Sequence, residues 1–222
     1  MTIKNFIFDI DGTLINTFEL YMPALIDVLA EDGHHFTDPV QAEKDLYGIA
    51  ATDALHKLNL SGSELEAIRK EWIGWAYQNF DRVRVFAGVP ELITQLASQS
   101  GTRLAIVTSK TRAEYRQYFQ NQYEFAKYFS VVVTADDTQL HKPSAEPILL
   151  ALARLGAQPA TAVYVGDMLT DFIAAHAAKI KFAGADYGSE DPQKIADADF
   201  HLASLAGLIR LNGEGVVQSW IV

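Results

Sequence analysis

Ile3-Lys4-Asn5-Phe6-Ile7-Phe8-Asp9-Ile10-Asp11-Gly12-Thr13 carries an apolar run straight into two carboxylates and a glycine turn. Apolar residues bounded by a turn read as a buried strand, expected here over residues 3–10. Asp9 and Asp11 stand two apart, so on an extended backbone both project the same way from the strand's carboxyl end. Like charges held that close repel, and each also loses hydration. Such a pair persists when a cation sits between the carboxylates or when one keeps its proton. Both arrangements point to chemistry.

Two further strands and one loop repeat the theme. Arg103-Leu104-Ala105-Ile106-Val107 ends in Thr108-Ser109-Lys110, and Ala162-Val163-Tyr164-Val165-Gly166 ends in Asp167, with Asp171 four residues on. Between them, Gln139-Leu140-His141-Lys142-Pro143-Ser144 sets a lysine before a proline that restricts its backbone. In an open α/β sheet, ligands bind outside the carboxyl ends of the strands. Asp9, Asp11, Thr108, Lys142, Asp167 and Asp171 are therefore expected in one crevice. Taken singly, each piece has a plainer reading as a turn or a helix cap; the acidic cluster they form together does not.

From Arg103 onward strands alternate with helices, near 103–108, 130–133, 161–165 and 180–183, which reads as a parallel doubly wound sheet. The stretch after the first strand is helical throughout. Phe18 to Ala30 is amphipathic, Asp38-Pro39 opens a second helix by the cap-then-proline signal, Thr52 to Leu58 is a third, and a fourth runs from Ser61–Glu64 to about Phe80. The expected architecture is an α/β, doubly wound, Rossmann-like core of residues 1–15 and 86–222 with an inserted all-α cap of residues 16–85. Trp72, Trp75, Tyr77 and Phe80 spread around the fourth helix and read as packing of the cap. Gly48 would let the loop Tyr47-Gly48-Ile49 dip toward the crevice. His34-His35 reads as a solvated turn with no partner at metal-ligand spacing, and Arg112 and Arg116 as a solvated helix face. The tail from Leu211 to Val222 suggests no role.

Hydrophobic residues at 49% and charged residues at 21% of 222 are globular proportions. The apolar runs are strand-length, short of a membrane span, and the first makes a poor signal peptide, so the cytoplasm is the expected compartment. The absence of cysteine excludes disulfides and thiolate metal sites. A net charge of −10 disfavours nonspecific binding to nucleic acid or anionic membrane. Four carboxylates in one crevice make an all-oxygen donor set, which with a phosphate ligand selects Mg²⁺ over Zn²⁺.

The order Asp9-x-Asp11-Gly12-Thr13, then Thr108, then Lys142-Pro143, then Gly166-Asp167-x-x-x-Asp171 resembles the haloacid dehalogenase superfamily over nearly the whole chain. An ionised carboxylate can attack phosphorus, and the resemblance implies that role for Asp9. Asp11 is the candidate acid/base that protonates the leaving alkoxide and then activates water. Gly12 permits the tight turn and Thr13 can tie it through its hydroxyl. The family pattern implies Mg²⁺ held by the Asp9 side chain, the Asp11 backbone carbonyl and Asp167, with Asp171 supporting them, directly or through water. Thr108 and Ser109 would bind phosphate, with a helix from about Thr111 aiming its dipole at the anion, and Lys142 would balance Asp9 and the phosphate.

The superfamily's dehalogenases lack the second motif carboxylate; Asp11 is present here. Its phosphonatases recruit a cap lysine, and neither Lys44 nor Lys57 lies in such a motif. The expected function is thus a Mg²⁺-dependent phosphatase acting on a small phosphorylated metabolite, of the phosphoglycolate-phosphatase-like branch, with a mobile cap excluding water. A sugar phosphomutase resembling β-phosphoglucomutase is the alternative, and a non-catalytic interaction module is an alternative of another class. Departures from the family pattern are Asn16 in place of an acid, Ala145 in place of proline, and Lys179 where glycine is common.

Overall fold

The computed structural model describes residues 2–47 and 51–208. Along them run β1 (Asn5–Phe8), β2 (Ile15–Asn16), α1 (Phe18–Glu31), α2 (Pro39–Leu46), α3 (Ala51–Lys57), α4 (Gly62–Gln78), β3 (Arg84–Val85), α5 (Val89–Ser98), β4 (Arg103–Val107), α6 (Arg112–Tyr115), β5 (Val131–Val133), α7 (Glu146–Leu155), β6 (Ala162–Gly166), α8 (Leu169–Ala177), β7 (Lys181–Gly184) and β8 (Phe200–His201). The loop Gly48-Ile49 and the tail from Leu211 lie outside the described residues.

Six strands form one sheet in the order β5-β4-β1-β6-β7-β8, every pair parallel. Such a sheet is covered on both faces, so its central strands carry unbroken apolar runs rather than alternation. All four residues of β1 and all five of β6 are buried. Ile7, Val107, Tyr164 and Phe182 share a core with Ile148 and Leu152 of α7 and Ala174 and Ala175 of α8. From β1 the chain goes to β4 and β5 on one side, then returns to β6 on the other. That reversal beside β1 is the switch point where a doubly wound sheet opens a crevice. β1 is shorter than expected: it ends at Phe8, and Asp9 begins the loop. β8 has two residues, too few for any periodicity to reveal.

The chain divides into two compact units, Met1–Leu14 with Val85–Val222, and Ile15–Arg84. The second unit holds α1 to α4. There α2 starts as the sequence signals, Asp38 accepting a hydrogen bond from the Gln41 amide at 3.0 Å beside Pro39. α1 packs on α4. Trp72 is buried and its Nε1 donates to the Tyr21 carbonyl at 2.6 Å, while the Tyr21 and Tyr77 hydroxyls meet at 3.0 Å. Trp75, by contrast, is exposed.

Two local features explain departures seen in the sequence. Lys179, where the superfamily that the sequence resembles commonly has glycine, has φ +59. It closes α8 in the left-handed region, which costs a side-chain-bearing residue roughly 1–2 kcal/mol. Arg112 is not a solvated face residue as expected: its guanidinium pairs with Asp137 and donates to the Val132 carbonyl at 3.3 Å. Arg154 of α7 reaches the same carboxylate at 2.9 Å and the same carbonyl at 3.2 Å.

This carboxylate also fixes the start of the loop that leads to Lys142. Asp137 Oδ2 accepts from the Thr134 amide and hydroxyl, both at 2.8 Å. Partial burial opposes its ionisation, but the Thr134 and Arg154 hydrogen bonds and the Arg112 charge outweigh that and hold its pKa down to about 2. A depressed carboxyl pKa stabilises the fold above the unfolded value near 4, and the gain is lost as pH falls through the folded value. Asp137→Asn should therefore lower stability by roughly 1–2 kcal/mol at pH 7 and by much less near pH 2, where the folded carboxyl is about half protonated. Urea melts of both proteins at the two pH values check this; an unchanged midpoint at pH 7 would refute it.

Candidate active site

Register alone brings the motif ends together. Phe8 pairs with Ile106 of β4 on one side and Val165 of β6 on the other. Asp9 follows at once, its amide donating to the Val165 carbonyl at 2.9 Å. Thr108 and Asp167 each come two residues beyond those partners, so all three stand at one end of adjacent strands. Lys142 enters from the loop after β5, through a cis Lys142–Pro143 peptide. Asp9, Thr108, Lys110, Asp167 and Asp171 are all buried, as is the Lys142 side chain.

Two lysines serve these carboxylates. Lys142 Nζ lies 3.1 Å from Asp9 Oδ1 and 2.6 Å from Asp171 Oδ1. Asp11 instead meets a second buried lysine, Lys110, at 2.8 Å. The turn after Phe8 sends the Asp9 side chain to Lys142 and the Asp11 side chain to Lys110. Asp171 is fully engaged, since its Oδ2 also accepts from the Met168 amide at 3.2 Å. Asp167 is not: Oδ1 accepts from the Thr13 hydroxyl at 3.1 Å, but Oδ2 is buried with no partner among the described residues. Asp11 Oδ1 is orphaned in the same way. Carboxylate oxygens of Asp9, Asp167 and Asp171 lie within 4.8 Å of one another.

A buried, unpartnered carboxylate oxygen is costly. Burial pushes the Asp9 pKa up to about 7; Lys142 pulls it back, and Asp171 and Asp11 push it further up. Burial, Asp171 and Asp9 likewise raise Asp167 well above the carboxylate range. Lys142 would be pulled down by burial, yet Asp171 and Asp9 hold it above its ordinary value. One lysine thus under-compensates three carboxylates, and the oxygen-only donor set with Asp167 Oδ2 free suits a hard divalent cation.

Glycine is required at Gly12, which has φ +72; a Cβ there would sit 2.1 Å from Asp167 Oδ2. Thr13 ties Asp167 rather than its own turn. Ser109 is exposed, and with Thr108, Thr134, His141 and Lys142 it lines a small cavity. The segment after Thr111 is capped as a helix, Thr111 and Glu114 forming a reciprocal capping box. Its α-helical part is four residues and passes directly into five residues of π-helix.

Sequence reasoning missed the brace behind the motif. Tyr187 donates its hydroxyl to the Thr13 carbonyl at 2.7 Å and packs edge-on against Phe86 at 5.0 Å. Gly188 approaches the Gly12 carbonyl so closely that a Cβ would lie 1.7 Å away. The usable signal was position: this loop also follows the carboxyl end of a strand, β7. Tyr164, whose hydroxyl lies 3.2 Å from Lys142 Nζ, was read only as a strand residue. In the helical unit, Asp32 and Glu64 come beside His34, their ligand atoms within 4.8 Å. His34 therefore has the neighbours its sequence context lacked, although the group is partly to fully exposed.

The family model described as haloacid dehalogenase-like hydrolase matches residues 6–185. The chain belongs to this family. It is similar to the pyrophosphatase PpaX of Bacillus pumilus, 30% identical over 96% of this chain and 97% of that protein. The N-acetylmuramic acid 6-phosphate phosphatase of Pseudomonas aeruginosa is 29% identical over 87% of this chain and 86% of its own length. Among solved structures, a Lactobacillus plantarum protein provisionally named a phosphoglycolate phosphatase superposes with a TM-score of 0.86 at 29% identity, covering 95% of this chain and all of that one. The family membership makes the chain a hydrolase, its relatives carry phosphatase names, and the parallel core with a helical insertion is the family's architecture. Among the described residues no helix is long and apolar enough to cross a membrane.

Proposed function

We propose that this hydrolase is a Mg²⁺-dependent phosphatase that cleaves a small phosphomonoester through an aspartyl phosphate on Asp9. The observation that carries the reading is the buried triad Asp9, Asp167 and Asp171 beside Lys142, with Asp167 Oδ2 left unpartnered. Asp9, the Asp11 backbone carbonyl and Asp167 would hold Mg²⁺, while Asp171, already engaged by Lys142 and the Met168 amide, would support Lys142. The bound ion would neutralise phosphate oxygens and keep Asp9 ionised.

In the first step an Asp9 carboxylate oxygen attacks phosphorus and the ester P–O bond breaks. Asp11, separately placed on Lys110, delivers a proton to the departing oxygen. In the second step Asp11 takes a proton from water, whose oxygen attacks phosphorus and releases inorganic phosphate from Asp9. Thr108 and Ser109 donate to the phosphate oxygens, and Lys142 offsets the charge on Asp9 and phosphate. The presence of a carboxyl at Asp11 supports hydrolysis over dehalogenation, which produces no alkoxide to protonate.

Phosphate release with Mg²⁺ across 2-phosphoglycolate, a hexose 6-phosphate and other small phosphomonoesters tests the reading. Turnover should be present for at least one compound and vanish with EDTA. No release from any of them, or release indifferent to EDTA, would overturn it.

A further inference from the structure

We propose that Tyr164 is a positioning residue for Lys142: its buried hydroxyl takes one ammonium proton and keeps that charge between Asp9 and Asp171. The proposal rests on the phosphatase reading for its catalytic consequence, but not for its geometry. An ammonium has three protons to place. Lys142 Nζ donates to Asp171 Oδ1 at 2.6 Å and to the Tyr164 hydroxyl at 3.2 Å, and it forms an ion pair with Asp9 Oδ1 at 3.1 Å.

A plain packing role leaves the hydroxyl unexplained. Tyr164 is fully buried in β6, and its ring stacks on Phe182 at 6.4 Å and 17°. Phenylalanine would fill that space equally well without burying a polar group, which is unfavourable unless hydrogen-bonded. Here the hydroxyl is used in both directions. It accepts from Lys142 and donates its single proton to the Val107 carbonyl at 3.1 Å, with Asp171 Oδ1 at 3.3 Å as the other acceptor in reach. Val107 is the last residue of β4, immediately before Thr108, so one phenol joins the lysine loop to the strand that carries the phosphate-binding hydroxyl.

The distances indicate what the phenol prevents. Asp171 is the nearest acceptor, at 2.6 Å against 3.1 Å for Asp9, so without Tyr164 the ammonium is expected to settle further onto Asp171 and away from Asp9. Asp9 would then lose compensation at the step that needs it as an ionised nucleophile. The Lys142 ammonium also lies 5.8 Å from the Tyr164 ring centroid, a contact that phenylalanine preserves, so Tyr164→Phe isolates the hydroxyl.

The test is Tyr164→Phe in the full-length Mg²⁺ protein, on whichever phosphoester the wild type turns over. Loss of one hydrogen bond to a charged group corresponds to about tenfold in rate, and we expect it in kcat, with KM within about twofold. A role confined to packing would lower the melting temperature and leave kcat of the folded protein unchanged, and that outcome overturns the proposal. The ¹⁵Nζ resonance of Lys142, assigned by its disappearance in Lys142→Met, is the second readout; it should shift or broaden in Tyr164→Phe, and an unmoved signal refutes the contact. If the wild type releases phosphate from nothing, the phosphatase reading has failed, while the resonance still decides whether Tyr164 holds Lys142.

Discussion

Asp9→Asn should lower phosphate release by at least ~10³-fold while leaving the fold intact. The amide matches the carboxylate in shape, so Lys142 keeps a neighbour at the 3.1 Å position, but a neutral amide is a poor nucleophile and cannot form the acyl phosphate. Stability is the control that makes the result interpretable. Burial raises the Asp9 carboxyl to about 7 in the ion-free protein, which means that ionising it there works against folding. Removing that charge should leave the melting temperature in EDTA unchanged or higher. Mg²⁺ should raise the wild-type melting temperature and have a smaller effect on the variant, because binding to the native state alone stabilises by mass action. Comparable turnover in wild type and Asp9→Asn would eliminate Asp9 as the nucleophile, whatever the metal dependence.

Gly12→Ala is expected to lower turnover by about 10²-fold or more, although the glycine contributes no chemistry of its own. Two effects combine. At φ +72 the residue lies in the left-handed region, where a Cβ costs about 1 kcal/mol. The new methyl would also overlap the Asp167 carboxylate, 2.1 Å from Oδ2 and 2.4 Å from the carboxyl carbon. Asp167 cannot yield without breaking its hydrogen bond from Thr13 or moving the one oxygen that is free to bind a cation. The backbone has little room either, since Gly188 presses on the Gly12 carbonyl and Tyr187 holds the Thr13 carbonyl. A raised Mg²⁺ requirement together with the lost turnover is therefore the expected signature, read by Mg²⁺ titration of the rate. Retention of wild-type activity and Mg²⁺ affinity would show that Asp167 does not occupy this position during the reaction.

The sequence by itself determined the sheet and the address of the site. β1, β4 and β6 are apolar almost throughout because both faces of a central parallel strand are covered, so the strands announce themselves. Their carboxyl ends are where such a sheet opens, so Asp9, Thr108 and Asp167 could be assigned to one crevice before any coordinate was known. The helical insertion was equally legible, from a cap-then-proline start at Asp38-Pro39 and a long stretch without strand character. Tertiary structure alone decided the pairings. Asp9 and Asp11, two residues apart, would project the same way from an unbroken strand, yet Asp9 faces Lys142 and Asp11 faces Lys110, because the turn after Phe8 separates their side chains. Arg112 looked solvated until Asp137, 25 residues away, came within reach of it. The brace from Tyr187 to Thr13 spans 174 residues, and nothing in either local sequence encodes it. Periodicity and turn chemistry act over a few residues and leave a mark in the string, whereas a hydrogen bond or an ion pair depends on where distant backbones come to rest.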